Sequence, residues 1–454
     1  MDYYSLNPAT GVLLHTRPAW TDAELDAALA QTAEAAPAWR NTPLPQRAAI
    51  LRRAAALLRE RPDAYASLIV LEMGKPIHQA REEIEKCALA CDFYADHAAR
   101  WLEDEAIATE ARASYAAYEP MGTVLAVMPW NFPFWQVFRC AAPILVAGNC
   151  ALLKHAPNVP QCAAAIDELW REAGLPPGVF RWLPITHAQA EALIAGPRVQ
   201  AVTLTGSEKA GHRIAALAGA ALKKTVLELG GSDPFVVLED ADMAEAVAAA
   251  VTARFQNAGQ SCIAAKRFIL VEAIADEFLE RFRAGVAALA VGDPLRETTQ
   301  VGPLARADLR GGLQAQVEAS IRLGAVPVLG CAPLAGPGFF YAPSILDRVW
   351  PGMPAYDEEV FGPVAAIVRA GDAAEALALA NRHRYGLGAS VWTRERERGE
   401  RFARGLECGL AFVNGGVRSD PRLPFGGVKA SGYGRELGGF GLREFVNVKT
   451  VWVD

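Results

Sequence analysis

The first hundred residues carry apolar side chains at the spacing of helices. Between Asp22 and Trp101 the chain is dominated by Ala, Leu, Glu and Arg. Within residues 47–62 the apolar positions recur every three or four residues, at Ile50, Leu51, Ala54, Leu57 and Leu58. This period is that of a helix with one face packed on a core. The pattern therefore predicts helices across residues 22–101.

Residues 124–205 alternate between short apolar runs and longer helical patterns. The run at 124–128 lies between turn residues and ends at Pro129, which is typical of a buried strand. Further strands are predicted at 150–153, 179–183 and 201–205, with helices at 136–145, 160–173 and 187–195. Such alternation favours a parallel sheet covered by helices on both faces. Because ligands bind beyond the carboxyl ends of strands in such sheets, motifs that follow these strands are candidates for a site.

A second region of the same kind extends from Pro234 to about Ala411. Strands are predicted at 235–238, 267–271 and 364–368, with helices between them. The closing segment 445–453 has valine on alternate positions, at Val446, Val448, Val451 and Val453. This pattern suits an edge strand that could pair with another subunit. The chain is therefore predicted to fold as two α/β units and a terminal edge strand.

Composition narrows the class of protein further. The 454 residues are 52% hydrophobic and 21% charged, which is ordinary for a globular enzyme and too long for a single core. The net charge of −6, without any run of basic residues, argues against a nucleic-acid partner. No apolar stretch is long enough to cross a membrane, and the first ten residues lack the pattern of a secretory signal. We expect a cytoplasmic protein without a membrane partner.

The eight cysteines form no metal-binding or disulfide pattern, since no CxxC pair or repeated spacing is present. By default each is a small, inert core residue. Cys262, in the segment FQNAGQSCIAAKR, is the exception that we single out. We expect a helix to begin in the Ala-rich run after it, so that exposed N–H groups favour the thiolate, which is the nucleophilic form.

Two other segments carry side chains suited to catalysis. Glu228 ends an apolar run before Gly230 and Gly231, a pair expected to form a turn, and a carboxyl emerging there into a cleft could act as a general base. The alternative is a surface carboxylate beside a turn. Asn131 lies between Trp130 and Phe132, where its amide could stabilise an oxyanion in apolar surroundings. The alternative there is a well-packed corner.

Taken together, these segments resemble the aldehyde dehydrogenase superfamily. The matching motifs occur in family order: WNFP, LLKHAP, Thr205-Gly206-Ser207, ELGG, GQSC, EEVFGP and PFGGVKASGYGRE. The resemblance runs from about Asn7 to the C-terminus. It implies an α/β fold with a Rossmann-type dinucleotide-binding domain (1–103 and 121–230), a catalytic domain (231–425) and small oligomerisation segments (104–120 and 440–454).

The family mechanism implies a role for each of these side chains. Cys262 would attack the aldehyde, Asn131 and a backbone N–H would hold the oxyanion, and Glu228 would activate the water that hydrolyses the thioester. The residues implied to bind the cofactor NAD(P) are Trp130, Lys154, Gly206, Ser207, Glu359 and Phe361. No metal is implied.

The residue at position 157 bears on the choice of cofactor. Many NAD-preferring relatives carry a ribose-binding Glu three residues after the lysine that corresponds to Lys154, but this chain has Pro157. Without that carboxylate, the 2′-phosphate of NADP meets less repulsion and could pair with Lys154. We expect NADP to be accepted, alongside NAD.

Within the superfamily the chain is most similar to succinate semialdehyde dehydrogenases of the bacterial Sad type. The substrate's carboxylate needs a cation in the pocket. Arg139 and Ser419 match the positions at which semialdehyde enzymes bind it, although Gln256 stands where some relatives carry a second Arg. The alternative for Arg139 is a helix-surface residue.

Other functions remain open at this point. Another small or aromatic aldehyde could be the substrate, and a CoA-acylating dehydrogenase would pass the thioester to a thiol. The presence of Glu228 favours hydrolysis. A binding protein that kept the fold is a further alternative, although it would have no need for Cys262, Glu228 and Asn131 together. The resemblance also implies a homodimer or homotetramer.

Overall fold

The computed structural model describes residues 3–454. Its helices are α1 (Asp22–Arg40), α2 (Leu44–Glu60), α3 (Pro62–Met73), α4 (Ile77–Leu102), α5 (Trp135–Val146), α6 (Pro160–Glu172), α7 (His187–Ala195) and α8 (Glu208–Ala220). The second half of the chain adds α9 (Met243–Phe255), α10 (Glu272–Ala287), α11 (Ala307–Arg322), α12 (Pro354–Asp357), α13 (Ala373–Asn381), α14 (Arg396–Gly405) and α15 (Gly438–Arg443). No helix within this described part is long and apolar enough to span a membrane.

The strands are likewise numbered along the chain. The first ten are β1 (Tyr3–Leu6), β2 (Leu13–Arg17), β3 (Glu105–Ala106), β4 (Ala113–Pro120), β5 (Thr123–Met128), β6 (Cys150–His155), β7 (Phe180–Trp182), β8 (Ala201–Thr205), β9 (Lys224–Glu228) and β10 (Asp233–Val237). The others are β11 (Ala265–Val271), β12 (Val326–Leu329), β13 (Ser344–Asp347), β14 (Val364–Ala370), β15 (Tyr385–Gly386), β16 (Gly388–Trp392), β17 (Leu410–Val413), β18 (Val428–Lys429), β19 (Gly432–Tyr433) and β20 (Val446–Val453).

The first sheet has the order β19-β9-β8-β5-β6-β7. Its last five strands are parallel, whereas β19 pairs antiparallel with β9 at the edge. The predicted strands at 124–128, 150–153, 179–183 and 201–205 are confirmed, as is the helix at 187–195. Strand β19 comes from the C-terminal part of the chain. The domain division expected from the sequence leaves residues 426–439 unassigned, so β19 belongs to none of its domains.

The second sheet has the order β12-β13-β14-β11-β10-β16-β17 and is parallel except for the β12–β13 pair. Its predicted strands β10, β11 and β14 are confirmed at its centre. The sequence pattern did not locate β13, β16 and β17. Each has only four or five residues, and a buried run of that length has no period that separates a strand from a piece of helix.

The third sheet, β20-β4-β3, is antiparallel throughout. The predicted terminal strand is confirmed as its outer member, with Val448 and Trp452 exposed. Helix α4 packs against α2, α3 and α5 under the first sheet. At the start of α5, the Glu83 carboxylate on α4 accepts hydrogen bonds from the backbone N–H groups of Phe134 and Trp135, at 2.9 and 3.0 Å. This contact fixes the turn in which Asn131 lies.

Candidate active site

The carboxyl ends of four parallel strands bring the predicted residues to one edge of the first sheet. In the strand register, Met128 of β5 pairs with His155 of β6, and Thr205 of β8 pairs with Glu228 of β9. Asn131 is the third residue after the end of β5, and Lys154 is the next-to-last residue of β6. Segments distant in sequence therefore meet where parallel α/β sheets bind ligands.

Cys262 lies in a loop and not at the start of a helix, so the predicted helix after it is wrong. The chain enters strand β11 at Ala265, because the apolar run that follows fills the centre of the parallel second sheet. Before Cys262, a single 3-10 turn at Gln256–Gly259 contains two consecutive non-glycine residues of positive φ, Asn257 at 54° and Ala258 at 52°. Such backbone costs about 1–3 kcal/mol per residue and persists only where the surroundings hold it.

The Asn257 side chain stabilises this backbone conformation and joins the Cys262 loop to the turn that contains Asn131. Its Nδ2 donates to the carbonyl oxygens of Asn131, at 2.9 Å, and of Gln260, at 3.0 Å. The Nδ2 of Asn131 donates back to the Gln260 carbonyl at 3.1 Å. Only one of the two amide hydrogens of Asn131 is used in this bond, so the second can serve a ligand.

Two cavities meet at the half-buried side chain of Cys262. The larger, about 400 Å³, is lined among others by Trp130, Asn131, Gly206, Ser207, Glu359 and Phe361. The smaller, about 180 Å³, is lined among others by Lys86, Trp135, Arg139, Gln256, Ser419 and Phe425. Cys262 and Gln136 lie on the walls of both. The thiol therefore stands between a cleft at the cofactor-type edge of the first sheet and a separate chamber.

The electrostatic surroundings of the thiol differ from those predicted. Burial raises the pKa of Cys262 to about 11, and the positive charges of Arg139 and Lys266 oppose this rise. No helix N-terminus contributes. The Lys266 ammonium, fully buried, donates to the carbonyl oxygens of Ser261 at 2.8 Å and of Cys262 at 2.5 Å. Two side-chain cations thus take the place of the helix dipole that the sequence led us to expect.

Glu228 is buried, not a surface carboxylate. Its side chain points toward the backbone of Gly426, where a Cβ would lie 2.7 Å from Oε1. Neither carboxylate oxygen has a hydrogen-bond partner within residues 3–454. Burial, and next the Glu436 carboxylate, raise the pKa of Glu228 well above its usual range, while Arg139 opposes them. Glu228 lies outside the walls of both cavities in this conformation, and its burial favours the protonated form.

Gly230 and Gly231 allow two neighbouring loops to approach the backbone closely. Neither residue has positive φ, but a Cβ on Gly230 would lie 2.4 Å from the Glu359 carboxylate, and one on Gly231 would lie 2.9 Å from the Cys262 carbonyl. The Gly231 N–H donates to Glu359 at 3.1 Å. The pair lies in a segment that is neither turn nor strand, and the missing Cβ atoms let the Glu359 and Cys262 loops pack directly on it.

Arg254 ties those two loops together. Its buried guanidinium donates to the carbonyl oxygens of Gly259 at 2.8 Å, Ala265 at 2.9 Å and Gly362 at 2.5 Å. Sequence reasoning assigned no role to Arg254 or to Lys266, although Lys266 lies in the same segment as Cys262. Only the fold shows that both cations donate hydrogen bonds to loop carbonyl oxygens.

The cleft offers groups suited to a dinucleotide. Ser207 is the N-cap of α8, and its Oγ accepts from the Ala210 N–H at 3.3 Å. Trp130 and Phe361 face each other across the cleft as an edge-to-face pair, with centroids 5.8 Å apart. Lys154 does not line this cleft: it is buried near the end of β6, and burial lowers its pKa to about 8. It makes no ion pair within the described chain, and Pro157, three residues on, supplies no carboxylate.

Arg139 and Ser419 both lie on the wall of the smaller cavity. Arg139 is buried on α5, not on a helix surface, and its guanidinium pairs with Glu436 and donates to Thr205 Oγ1 at 3.1 Å. The hydroxyl of Ser419 accepts a hydrogen bond from the Lys86 ammonium at 2.5 Å. Sequence reasoning did not find Lys86, because α4 precedes every motif of the site.

The fold and the site match one family of enzymes. The aldehyde dehydrogenase family model matches residues 2–451. The chain therefore belongs to the aldehyde dehydrogenase family. A probable succinate-semialdehyde dehydrogenase [NADP(+)] of Synechocystis sp. is 53% identical over 449 residues, which are 99% of each chain. The succinate semialdehyde dehydrogenase [NAD(P)+] Sad of Escherichia coli strain K12 is 51% identical over 99% of this chain and 97% of its own.

A solved structure shows the same fold over the whole chain. The crystal structure of succinic semialdehyde dehydrogenase from Streptococcus pyogenes, in complex with NADP+, superposes with a TM-score of 0.97. It is 37% identical in sequence and the match covers 99% of both chains. The α/β architecture expected from the resemblance is thereby confirmed.

Proposed function

We propose that this protein oxidises succinate semialdehyde to succinate with NAD(P)+, through a thioester on Cys262. The observation that carries the proposal is the place of Cys262 on the walls of two cavities at once. A dehydrogenase of this type needs its nucleophile between a cofactor cleft and a substrate chamber. The names of the Synechocystis, E. coli and S. pyogenes relatives support this substrate and cofactor.

The larger cleft, together with Lys154 at the same edge of the first sheet, fits a dinucleotide. The unpaired Lys154 ammonium would hold the adenosine ribose or its 2′-phosphate, and Gly206 with Ser207 at the start of α8 would hold the pyrophosphate. Glu359 would accept hydrogen bonds from the hydroxyls of the nicotinamide ribose, and Phe361 and Trp130 would lie against the nicotinamide ring. When bound, NAD(P)+ supplies the acceptor of the hydride. The absence of a carboxylate at Pro157 supports use of NADP as well as NAD.

The first half of the reaction rests on Cys262 and Asn131. The thiolate forms an S–C bond with the aldehyde carbon, and the carbonyl oxygen gains the negative charge. The free amide hydrogen of Asn131 and the backbone N–H of Cys262 stabilise this oxyanion. Collapse of the adduct restores the C=O bond and expels the hydride, which leaves an acyl thioester on Cys262.

The second half rests on Glu228. In its ionised form, the carboxylate removes a proton from the water that attacks the thioester, and the Cys262 thiolate then leaves. For this step the side chain turns from Gly426 toward Cys262. Burial favours the protonated form of Glu228 in its present place, so a shift toward the wetter cavity also favours the ionised form that the reaction uses.

The smaller chamber supports a short substrate that carries a carboxylate. Its volume of about 180 Å³ is less than half of the 400 Å³ of the larger cleft. Arg139 contributes positive charge from the wall, and the Ser419 hydroxyl can donate to a carboxylate. The same chamber would admit another small aldehyde, which is the second candidate substrate.

The assembly proposed from the family is a homodimer or homotetramer. Support comes from the exposed outer strand β20, whose Trp452 is 46% and Val448 60% accessible in the single chain. An edge strand with exposed apolar side chains favours pairing with another chain. Light scattering coupled to size-exclusion chromatography tests this proposal, and a monomer at micromolar concentration would contradict it. The cytoplasmic location stays a prediction.

A panel of aldehydes tests the activity. Reduction of NAD+ and NADP+ is followed with succinate semialdehyde, butanal and benzaldehyde, each with and without CoA. The proposal expects the highest kcat/KM for succinate semialdehyde, free succinate as product and no dependence on CoA. A requirement for CoA would indicate an acylating dehydrogenase, and no reduction with any aldehyde would indicate a binding protein.

A further inference from the structure

The smaller cavity contains two buried or half-buried cations, and their charges are not equally available. Arg139 is fully buried and forms an ion pair with Glu436, while its Nη2 donates to Thr205. The guanidinium carbon Cζ of Arg139 lies 4.6 Å from the centroid of the Phe425 ring. The charge of Arg139 is therefore largely balanced by the Glu436 carboxylate.

Lys86, by contrast, has no carboxylate partner among residues 3–454. Its ammonium extends from α4 to the cavity wall, where it lies 4.3 Å from the centre of the Trp135 ring and 2.5 Å from Ser419 Oγ. A Lys ammonium has three donors, and the Ser419 bond uses one of them. A neutral hydroxyl and an aromatic face hold the cation in place without cancelling its charge.

The surroundings of Lys86 make an anionic ligand favourable. Burial, and next the positive charge of Arg139, lower the pKa of Lys86 to about 8. A bound carboxylate would pair with the poorly hydrated ammonium and restore its preference for the charged form. Gln256, at the position where some relatives carry an Arg, lines the same cavity and brings no charge. Arg418 also lines this cavity, but its side chain is exposed to solvent.

We propose that Lys86, with Ser419, binds the carboxylate of the aldehyde substrate and sets the preference for ω-carboxylate aldehydes. This inference rests on the proposed function and deepens it. In this arrangement Ser419 donates its hydroxyl hydrogen to the carboxylate while it accepts from Lys86. Trp135 covers the ammonium from the side, so that the carboxylate approaches from within the cavity. Arg139 adds long-range attraction from behind its Glu436 partner.

The test compares Lys86→Met with the wild type on two substrates of the same chain length. Butanal matches succinate semialdehyde in carbon count but lacks the carboxylate, so the ratio of their kcat/KM values isolates carboxylate recognition. We expect this ratio to fall by about tenfold or more in Lys86→Met, as an increase in KM for succinate semialdehyde. Lys86→Arg, which keeps the charge, should retain most of the ratio.

Lys429→Met is the control, since it removes one positive charge from an exposed position that does not line the cavity. Its ratio should change by no more than about twofold. An unchanged ratio in Lys86→Met, or an equal fall in Lys429→Met, overturns the role of Lys86. If Lys86→Met does not fold, Lys86→Gln carries the same expectation.

The wild-type ratio separates this inference from the proposed function. If the wild type does not prefer succinate semialdehyde over butanal, the proposed substrate fails, and the role of Lys86 fails with it. If the wild type prefers succinate semialdehyde and Lys86→Met keeps that preference, only the role of Lys86 fails.

Discussion

The ammonium of Lys266 donates a hydrogen bond to the carbonyl oxygen of Cys262 at 2.5 Å. The same ammonium lies 3.8 Å from Glu359 Oε1, so one buried cation contacts both the nucleophile's own backbone and the residue proposed to hold the nicotinamide ribose. Burial lowers the pKa of Lys266, and the carboxylates of Glu359 and Asp233 oppose that change. Lys266 is thus placed to position the thiol relative to the cofactor.

Replacing Lys266 by Met should impair both reactivity and cofactor use. Loss of the positive charge removes one of the two groups that lower the pKa of Cys262, so less thiolate forms at a given pH. We expect the rate of Cys262 alkylation by iodoacetamide at pH 8 to fall by about threefold or more, and KM for the cofactor to rise. Peptide mass spectrometry identifies the alkylated cysteine.

The exposed lysine at position 429 provides the control for this prediction. Lys429→Met also removes one positive charge, but from a surface ion pair with Glu407. It should leave both the alkylation rate and the cofactor KM as in the wild type. Equal alkylation rates in Lys266→Met and the wild type would rule out an electrostatic role for Lys266.

Arg139 is expected to be more important for folding than for substrate choice. Its removal leaves the buried Glu436 carboxylate without its cation, and breaking such a pair costs about 3–5 kcal/mol. Arg139→Met should therefore lower the midpoint of urea unfolding, while it lowers the ratio of kcat/KM for succinate semialdehyde to that for butanal by less than Lys86→Met does. The double variant Arg139→Met/Glu436→Gln should recover part of the stability. An unchanged midpoint in the single variant would contradict this account.

The parts of the site that the sequence could predict are those fixed by local pattern. Strand β8 and helix α7 have the predicted bounds, and the motifs after β5 and β8 do meet at one sheet edge. The helix expected after Cys262 is a strand, because the position of β11 at the centre of a parallel sheet decides against a weak Ala-rich preference.

What the sequence could not predict depends on contacts across the chain. Lys86 and Ser419 are 333 positions apart, and nothing in either segment indicates the other. The ion pair of Arg139 with Glu436 and the inward turn of Glu228 toward Gly426 likewise follow from the docking of residues 425–436 against the first sheet. Such pairings become visible only when the fold places them together.

Glu228→Gln should separate the two halves of the reaction. The amide cannot accept the proton of the attacking water, so the thioester forms but is hydrolysed slowly. Rapid mixing should show a burst of about one reduced cofactor per site, followed by a steady rate at least about a hundredfold below the wild type. A steady rate close to that of the wild type would exclude Glu228 as the base.

The pH dependence of the steady phase gives a second check on Glu228. Because burial raises the pKa of Glu228, the carboxyl ionises at a higher pH than an exposed glutamate does, and the ionised form is the one that accepts the proton of water. We expect the wild-type rate of thioester hydrolysis to rise with pH, and this rise to be absent in Glu228→Gln.

Pro157→Glu should shift the cofactor preference toward NAD. A carboxylate three residues after Lys154 would repel the 2′-phosphate of NADP, whereas it would accept hydrogen bonds from the ribose hydroxyls of NAD. The ratio of kcat/KM for NADP to that for NAD should fall by about tenfold or more. Pro176→Glu, at an exposed loop position, should leave the ratio unchanged. A wild-type preference for NAD of roughly a thousandfold would contradict the role given to Pro157.

The most direct test of the central claim is the initial rate of cofactor reduction by Cys262→Ala with succinate semialdehyde. Loss of a covalent nucleophile typically costs several orders of magnitude in rate, so we expect a fall of at least about ten-thousandfold. Cys408→Ala, which replaces the other half-buried cysteine, should retain the wild-type rate. If Cys262→Ala instead turned over at a rate near that of the wild type, the thioester mechanism proposed for this protein would be wrong.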